Sequence, residues 1–256
     1  MANVIKIKKG LDINLKGKAS DVLLNGGKSD SYAIVPDYYN GIVPKVVAKV
    51  GEKVKAGSVL MIDKNRPEIK FVSPVSGEVT AVNRGEKAIL HAGMWPFIKQ
   101  RPYDIVASPA DEPRDIFVSA FYSAPLAPNF DFVVKGQEVD FQTGLDALAK
   151  LTDGKVYVGI RKGSSVSVKG VETVEVEGPH PAANVGVQIN HIKPINKGEV
   201  VWTVNPADVI VIGRLFNKGI ADFSRLVVIT GSETTERGYV KAIAGCTIAS
   251  LVDGKI

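Results

Sequence analysis

The chain has 256 residues, of which 45% are hydrophobic and 23% charged, and its net charge is +5; this composition is typical of a globular protein with one or two domains. The single cysteine, Cys246, excludes an internal disulfide and a cluster held by four cysteines, and with 3 histidines it leaves too few ligands for structural zinc. No stretch approaches the roughly 20 apolar residues of a spanning helix, and no basic stripe alternates with aromatics, so neither a transmembrane segment nor a nucleic-acid partner is expected.

The first half of the chain has the pattern of a small β domain. Residues 1–31 are interpreted as an N-terminal extension that packs on the core. Over residues 32–92, short valine-rich segments separated by glycines predict a β sandwich or barrel of the biotinyl/lipoyl type. An internal echo indicates two related hairpins, because residues 47–53 and 79–87 each join a strand to a Gly-Glu turn.

This segment also resembles biotinyl and lipoyl carrier domains, which leads to a second hypothesis. The resemblance lies in Gly-Glu-Lys-Val-Lys-Ala-Gly at 51–57 and Ser-Pro-Val-Ser-Gly at 73–77. Carrier domains bear their cofactor on a lysine at a hairpin tip, and Lys64 is the candidate here. Pro67 and the long spacing from Lys64 to Pro74 depart from the carrier pattern, so an unmodified, solvated lysine is the simpler interpretation.

The remainder predicts a Rossmann-like α/β domain over 115–256, after a proline- and aromatic-rich linker at 93–114. Strands are expected at 116–120, 155–160, 171–176 and 226–230, and helices at 142–151 and 206–216. Asn205 and Pro206 suit a helix start, and Gly219 suits its end. Alternating strands and helices indicate a mainly parallel sheet.

Signatures of nucleotide binding and catalysis are missing. Neither G-x-G-x-x-G nor a P-loop occurs, and the basic glycine turn at 159–163 is only a weak phosphate-binding candidate. No serine lies in a nucleophile motif with a neighbouring histidine, so no catalytic residue is predicted.

Four runs carry a family resemblance. They are Gly-Met-Trp-Pro-Phe-Ile-Lys-Gln-Arg-Pro-Tyr at 93–103, Gly-Pro-His-Pro-Ala at 178–182, Val-Trp-Thr-Val-Asn at 201–205 and Ile-Lys-Ile-Lys-Lys-Gly-Leu-Asp at 5–12. Together they resemble the A subunits of the sodium-translocating NADH:quinone oxidoreductases (Na+-NQR). The related Rnf C subunit is disfavoured because it carries cysteine clusters, and the α/β domain resembles the 51 kDa flavin-binding subunit of complex I without its glycine-rich loops.

The resemblance implies a function in a membrane complex that couples electron transfer from NADH to ubiquinone with sodium export. The chain is then a peripheral subunit on the cytoplasmic face of the bacterial inner membrane, inactive alone, with other subunits of the complex, membrane subunits included, as partners. Ubiquinone is the substrate, and FMN, FAD, riboflavin and iron–sulfur centres are expected on partners, none on this chain. Family members have some tens of additional residues after the position of Lys87 and continue past Ile256, so an N-terminal portion is expected.

Quinone binding needs an apolar slot, aromatic walls and donors for the carbonyl oxygens. Aromatic residues cluster after the first strand of the α/β domain, where such folds place ligands. The candidates for the quinone site are Phe121, Tyr122, Phe130, Phe132, Phe141, Trp95 and His180. Each of these interpretations has an alternative. The aromatic residues are also explained by core packing, and His180 by a structural role. The whole chain is also explained as a docking scaffold.

Overall fold

The protein is described by a computed structural model that covers residues 4–82, 94–219 and 221–256. The strands of the β domain and the N-terminal segment are β1 (Val4–Lys6), β2 (Leu23–Leu24), β3 (Pro44–Val46), β4 (Lys53–Val54), β5 (Val59–Asp63), β6 (Lys70–Val72) and β7 (Gly77–Glu78). The later strands are β8 (Ile98–Arg101), β9 (Ile105–Val106), β10 (Ile116–Ser119), β11 (Val156–Arg161), β12 (Glu172–Glu177), β13 (Val201–Val204), β14 (Ser224–Ile229) and β15 (Gly238–Ile243). The α-helices are α1 (Phe130–Val134), α2 (Glu138–Leu148), α3 (Val185–Ile192), α4 (Pro206–Lys218) and α5 (Ile248–Val252), with 3-10 turns at Pro36–Tyr38 and Trp95–Phe97.

A seven-stranded sheet organises the molecule, in the order β1-β12-β11-β10-β13-β8-β9. The five strands from β1 to β13 are parallel, whereas β8 and β9 are antiparallel additions at one end. The predicted fold class, a small β domain followed by an α/β domain with a mainly parallel sheet, is confirmed. Because β11 and β12 lie on one side of β10 and β13 on the other, the order changes direction between β10 and β13.

The central strands are buried on both faces of the sheet. Successive side chains of a strand point to opposite faces, and both sets are covered here. Ile116 and Val118 of β10 pack with α2 and α4 in the main core, whereas Phe117 points to the opposite face and packs against Ile189 of α3. Helices α2 and α4 also contact each other closely at Gly144 and Gly213, where an added Cβ would meet the backbone of the other helix. The sheet is therefore the middle of three layers.

Local signals place α4 as expected. The side chain of Asn205 accepts a hydrogen bond from the Ala207 amide at 3.0 Å, Pro206 is the first helical residue, and Gly219 ends the helix with φ +68°. Helix α2 begins and ends earlier than the predicted 142–151. The chain after Leu148 makes i→i+3 hydrogen bonds, from Lys150 N to Ala147 O among others, so the helix tightens into a turn there.

The predicted strand at 226–230 is present as β14, but it is not part of the parallel sheet. It pairs antiparallel with β15 in a separate three-stranded sheet completed by β2. The short connection from β14 to β15 contains no crossover helix, and so only an antiparallel hairpin is possible.

The N-terminal segment and the predicted linker both supply strands. Strand β1 pairs parallel with β12 at the sheet edge, and the Ile7 amide extends this pairing by donating to Glu177 O at 2.7 Å. Strand β2 pairs with β15. Residues 98–106 form β8 and β9 at the other end of the central sheet.

The β domain contains one antiparallel sheet, β3-β5-β6, and a two-stranded ribbon, β4-β7. Its core is built from Leu60, Met61, Ile69 and Phe71, together with Val106 of β9, so the two domains share a hydrophobic core. The Gly51 amide donates to Val79 O at 2.8 Å, which joins the two echoed segments. The Gly-Glu-Lys turn at 85–87, predicted for the second echo, lies outside the described residues, as does His91.

Two buried carboxylates form ion pairs that connect separate segments of this fold. Asp63 accepts a hydrogen bond from Arg66 Nε at 2.8 Å, and the same guanidinium donates to Gly41 O and Val106 O, which ties the β5–β6 hairpin to β9. Asp115, at the start of β10, lies 2.7 Å from Arg114 Nε and 2.7 Å from Lys193 Nζ.

Candidate functional site

A crevice of about 880 Å³ opens at the carboxyl ends of β10 and β13. This is where the strand order changes direction, and it is where open α/β sheets place their ligands. Residues from the β domain, from β8, from the starts of α3 and α4, and from β14 complete its walls. We refer to this cavity as the carboxyl-edge crevice.

The apolar side of the carboxyl-edge crevice is largely aromatic. Its rings are Tyr38, Tyr39, Phe97, Phe121, Tyr122 and Phe223. Phe97 and Phe223 meet edge to face with ring centroids 6.3 Å apart, which fixes both rings. The aromatic rings come from separate segments of the chain, and the fold brings them around one space.

The polar side begins with strand β8. Lys99 and Arg101 are two residues apart and both line the crevice, while Ile98, on the opposite face of the strand from Lys99, points into the core. The Lys99 ammonium lies 5.2 Å from the centroid of the Tyr39 ring, a cation–π arrangement. Burial lowers the pKa of Lys99 below that of free lysine, and this is only partly offset by the carboxylates of Asp104 and Asp208.

An ion pair forms the opposite wall. Arg225 of β14 donates to Asp208 Oδ1 at 3.0 Å, and its guanidinium carbon lies 5.8 Å from the centroid of Phe97. Burial raises the pKa of Asp208, against the opposing effect of Arg225. Arg101 has a looser partner, since its Nε lies 3.5 Å from Asp104 Oδ1.

Two phenols in the crevice stay protonated over the physiological range. Burial raises the pKa of both Tyr39 and Tyr122 to about 12, with a further contribution from Asp208. The Tyr122 hydroxyl lies 3.2 Å from Asn205 Oδ1, to which it donates. The Tyr122 proton is thus taken by Asn205, whereas the Tyr39 hydroxyl is a hydrogen-bond donor of the kind that a ligand carbonyl requires.

The start of α3 leaves room in the crevice. Asn184, Val185 and Gly186 all line it, and a Cβ added at Gly186 would meet nothing within 4 Å. Gly186 is therefore a lining residue at which a larger side chain can be introduced without a clash inside the fold.

The structure brings some of the predicted quinone residues together and separates others. Phe121 and Tyr122 line the carboxyl-edge crevice, and with Phe130 they also line a neighbouring cavity of about 580 Å³. Phe130 and Phe141 are 2% and 1% exposed and belong to the main core, in contact with each other. Phe132 packs on Tyr239, with ring centroids 4.5 Å apart, away from the crevice.

Trp95 and His180 also lie outside the crevice lining. Trp95 donates from Nε1 to Ala107 O at 2.8 Å and packs edge to face on Trp202, so it anchors the segment before β8. The His180 Nδ1 lies 3.0 Å from Ser123 Oγ, and its backbone amide donates to Asp12 at 2.9 Å. Both side chains have structural partners.

Sequence reasoning missed Tyr39, Lys99, Asp208 and Arg225. No local signal marks Lys99, because residues 98–101 read Ile-Lys-Gln-Arg without apolar–polar alternation and the flanking prolines favoured a linker. No local signal connects Arg225 with Asp208, because their contact depends on the packing of β14 against α4.

Other candidate sites are less developed. Lys64 is exposed just after β5, but its backbone amide donates to Val43 O at 2.7 Å. Its neighbours Asp63 and Arg66 are held by their hydrogen bond to each other. Among residues 4–82, 94–219 and 221–256, no three histidine, cysteine or acidic side chains are grouped as a metal site requires. Within the same residues, every helix is too short or too polar to cross a bilayer.

The fold and the crevice define a class of protein, in which a small β domain precedes an α/β domain with an open carboxyl-edge cavity. Family models identify both parts: the NqrA N-terminal barrel-sandwich hybrid domain matches residues 5–93, and the NqrA second alpha/beta domain matches residues 82–221. The chain belongs to the NqrA family, the A subunits of the Na(+)-translocating NADH-quinone reductases. The family predicted from the sequence runs is confirmed.

Similar curated proteins carry the same description. The Na(+)-translocating NADH-quinone reductase A subunit of Hahella chejuensis is 32% identical, that of Neisseria meningitidis serogroup A is 31% identical, and that of Saccharophagus degradans is 32% identical. Each match covers 99% of this chain and 65% of the relative, so the chain spans about two thirds of its relatives' length. The matches extend over 292 residues, more than the chain contains, so the relatives have additional residues within the matched portion.

Proposed function

We propose that this chain is the quinone-facing portion of the NqrA component in a complex that passes electrons from NADH to ubiquinone and exports sodium. The observation that carries the proposal is the carboxyl-edge crevice, which combines aromatic walls with hydrogen-bond donors in a protein of the NqrA family. The relatives are named as subunits of an NADH-quinone reductase, which supports a quinone as the ligand.

The chemistry of the crevice suits a quinone ring. A flat ring packs between Phe97, Phe121 and Tyr122, and its carbonyl oxygens accept hydrogen bonds. Lys99 and the Tyr39 phenol both line the cavity and are suitable donors. Because the Tyr39 phenol has a pKa of about 12, it keeps its proton while a quinone is bound.

The chain's contribution is binding and assembly. We expect FMN, FAD, riboflavin and the iron–sulfur centre on partner subunits and the isolated chain to be inactive. We place the chain at the cytoplasmic face of the bacterial inner membrane as a peripheral component. The other subunits of the complex, including membrane subunits, are its partners.

A pair of glycine substitutions tests the crevice directly. Gly186→Leu adds a bulky side chain at a residue that lines the crevice, whereas Gly77→Leu adds the same side chain on an exposed strand of the β domain, where a Cβ also meets nothing within 4 Å. Isothermal titration calorimetry with a short-chain, water-soluble ubiquinone should show binding to the wild type and to Gly77→Leu, and at least about tenfold weaker binding to Gly186→Leu. Equal binding by both variants would place the quinone elsewhere.

A docking scaffold is the second candidate, supported by the N-terminal segment. Leu11, Ile13 and Leu15 are 70%, 55% and 54% exposed, a run of apolar side chains open to a partner. Replacement of all three by serine should weaken association with the membrane subunits and leave quinone binding by the chain unchanged. Unaltered assembly in co-purification would remove this candidate.

A further inference from the structure

The charges of the carboxyl-edge crevice are not balanced. Arg225 is paired with Asp208 at 3.0 Å, and Arg101 lies 3.5 Å from Asp104. Lys99 is the remaining cation of the lining, and in the described part of the chain no carboxylate comes within ion-pair distance of its ammonium. The lining therefore carries one uncompensated positive charge.

This charge is held in an unfavourable environment. Lys99 is partly buried against the ring of Tyr39, and burial lowers the pKa of its ammonium despite the two nearby acids. Removing a charge from water destabilises it unless a counter-ion or hydrogen bonds replace the lost hydration. A bound anion would provide both.

The surroundings specify what kind of anion fits. Lys99 lines a cavity whose apolar surfaces include Phe97, Phe121 and Tyr122, so a flat aromatic ring can cover that part of the lining. The first turn of α3 adds backbone amides from Val185 and Gly186 at the rim, where the helix dipole also favours negative charge. A small hydrated ion would leave the aromatic walls uncovered, whereas a ring with an ionised oxygen would cover them.

We infer that the crevice is selective for an aromatic ring that bears a negative charge, with Lys99 as the counter-ion of the ionised oxygen. This rests on the proposed function and adds to it: a neutral quinone binds through the aromatic wall, and an anionic form, such as a ring with an ionised hydroxyl group, binds more tightly. Lys99 is a specificity-determining residue that positions the charged oxygen. The ring itself packs against the aromatic side chains of the crevice.

Matched naphthalene ligands test the inference by calorimetry at neutral pH. 2-Hydroxy-1,4-naphthoquinone is ionised under these conditions, 2-methoxy-1,4-naphthoquinone is neutral and of similar shape, and 1-hydroxy-2-naphthoate is an anion without quinone carbonyls. The wild type should bind the hydroxyquinone at least about tenfold more tightly than the methoxyquinone, the factor that one charge-assisted hydrogen bond supplies. Lys99→Met should remove this preference, and Lys99→Arg should retain most of it.

The possible results separate the two claims. Equal affinity for the hydroxy and methoxy compounds in the wild type would overturn the anion selectivity and leave the quinone proposal in place. If the naphthoate binds as tightly as the hydroxyquinone, the anion selectivity holds and the quinone part fails. If none of the three binds, or if Lys99→Met keeps the preference while circular dichroism shows a folded protein, the inference is wrong.

Discussion

The contact between α2 and α4 provides a prediction in which the sign of the effect is diagnostic. A Cβ added at Gly213 would lie 2.6 Å from the carbonyl carbon of Asp140 and 2.9 Å from the amide nitrogen of Gly144. Carbon atoms in good contact are about 3.5–4.0 Å apart, so the helices would have to separate by about 1 Å. Alanine in place of a mid-helix glycine otherwise stabilises by about 1 kcal/mol.

Overpacking of a core costs about 1–3 kcal/mol, and a backbone clash cannot be relieved by a side-chain rotation. With the upper cost of about 3 kcal/mol for such a backbone clash and the helix-propensity gain of about 1 kcal/mol, we expect Gly213→Ala to lower the free energy of unfolding by about 2 kcal/mol. This corresponds to roughly 4–8 °C in melting temperature for a chain of this size. Because α4 carries Asp208 into the crevice, a shifted helix should also weaken ligand binding.

Urea denaturation followed by circular dichroism measures the effect, and Gly186→Ala is the matched control. This second glycine is also helical but has open space at its Cβ position, so its replacement should be neutral or stabilising by at most about 1 kcal/mol. If Gly213→Ala is as stable as the wild type, the close approach of the two helices is wrong.

Three further substitutions test the framework and the assignment of side chains to the core. Burial alone would raise the pKa of Asp115, but hydrogen bonds from Lys193 and neighbouring groups outweigh this and lower it, so Asp115→Asn should cost about 2–3 kcal/mol at pH 7. A carboxylate whose pKa is lowered on folding adds stability that is lost as pH falls through its folded-state pKa. The difference in unfolding free energy between Asp115→Asn and the wild type, measured by urea denaturation, should therefore shrink below about pH 4. A difference that stays constant with pH would contradict this. Arg66→Met leaves the buried Asp63 without its ion pair and should cost about 2–3 kcal/mol in the same assay, whereas the exposed neighbour variant Lys64→Met should match the wild type. Phe141→Ala should cost about 3–5 kcal/mol because the ring is 1% exposed in the core; a stable variant with weakened quinone binding would instead assign this ring to the site.

The parts of the fold that could be predicted are those with local signals. Asn205, Pro206 and Gly219 delimit α4 because capping and proline preferences act within one turn of a helix. The parallel sheet followed from apolar strands alternating with helices. Residues 98–101 were assigned to a linker because prolines flank them, yet tertiary pairing with β13 makes them a strand.

The site was predictable only in part. Phe121 and Tyr122 were predicted at the carboxyl end of a strand, where such folds place ligands, and both line the crevice. Phe130 and Phe141 belong to the same aromatic-rich stretch, but their side chains are buried in the core. Sequence alone does not distinguish an aromatic residue that lines a cavity from one that packs in the core. Arg225 reaches the crevice from a separate sheet, and such contacts are defined only by the packing of distant segments.

The central claim, that a quinone binds in the carboxyl-edge crevice of this chain, is tested most directly by backbone NMR during titration with a water-soluble ubiquinone, with FMN and NADH as parallel controls. We predict saturable shifts with the quinone alone, concentrated at Lys99, Phe121, Tyr122 and Gly186. Shifts absent from these residues at saturating quinone, or equal shifts with FMN or NADH, would contradict the assignment.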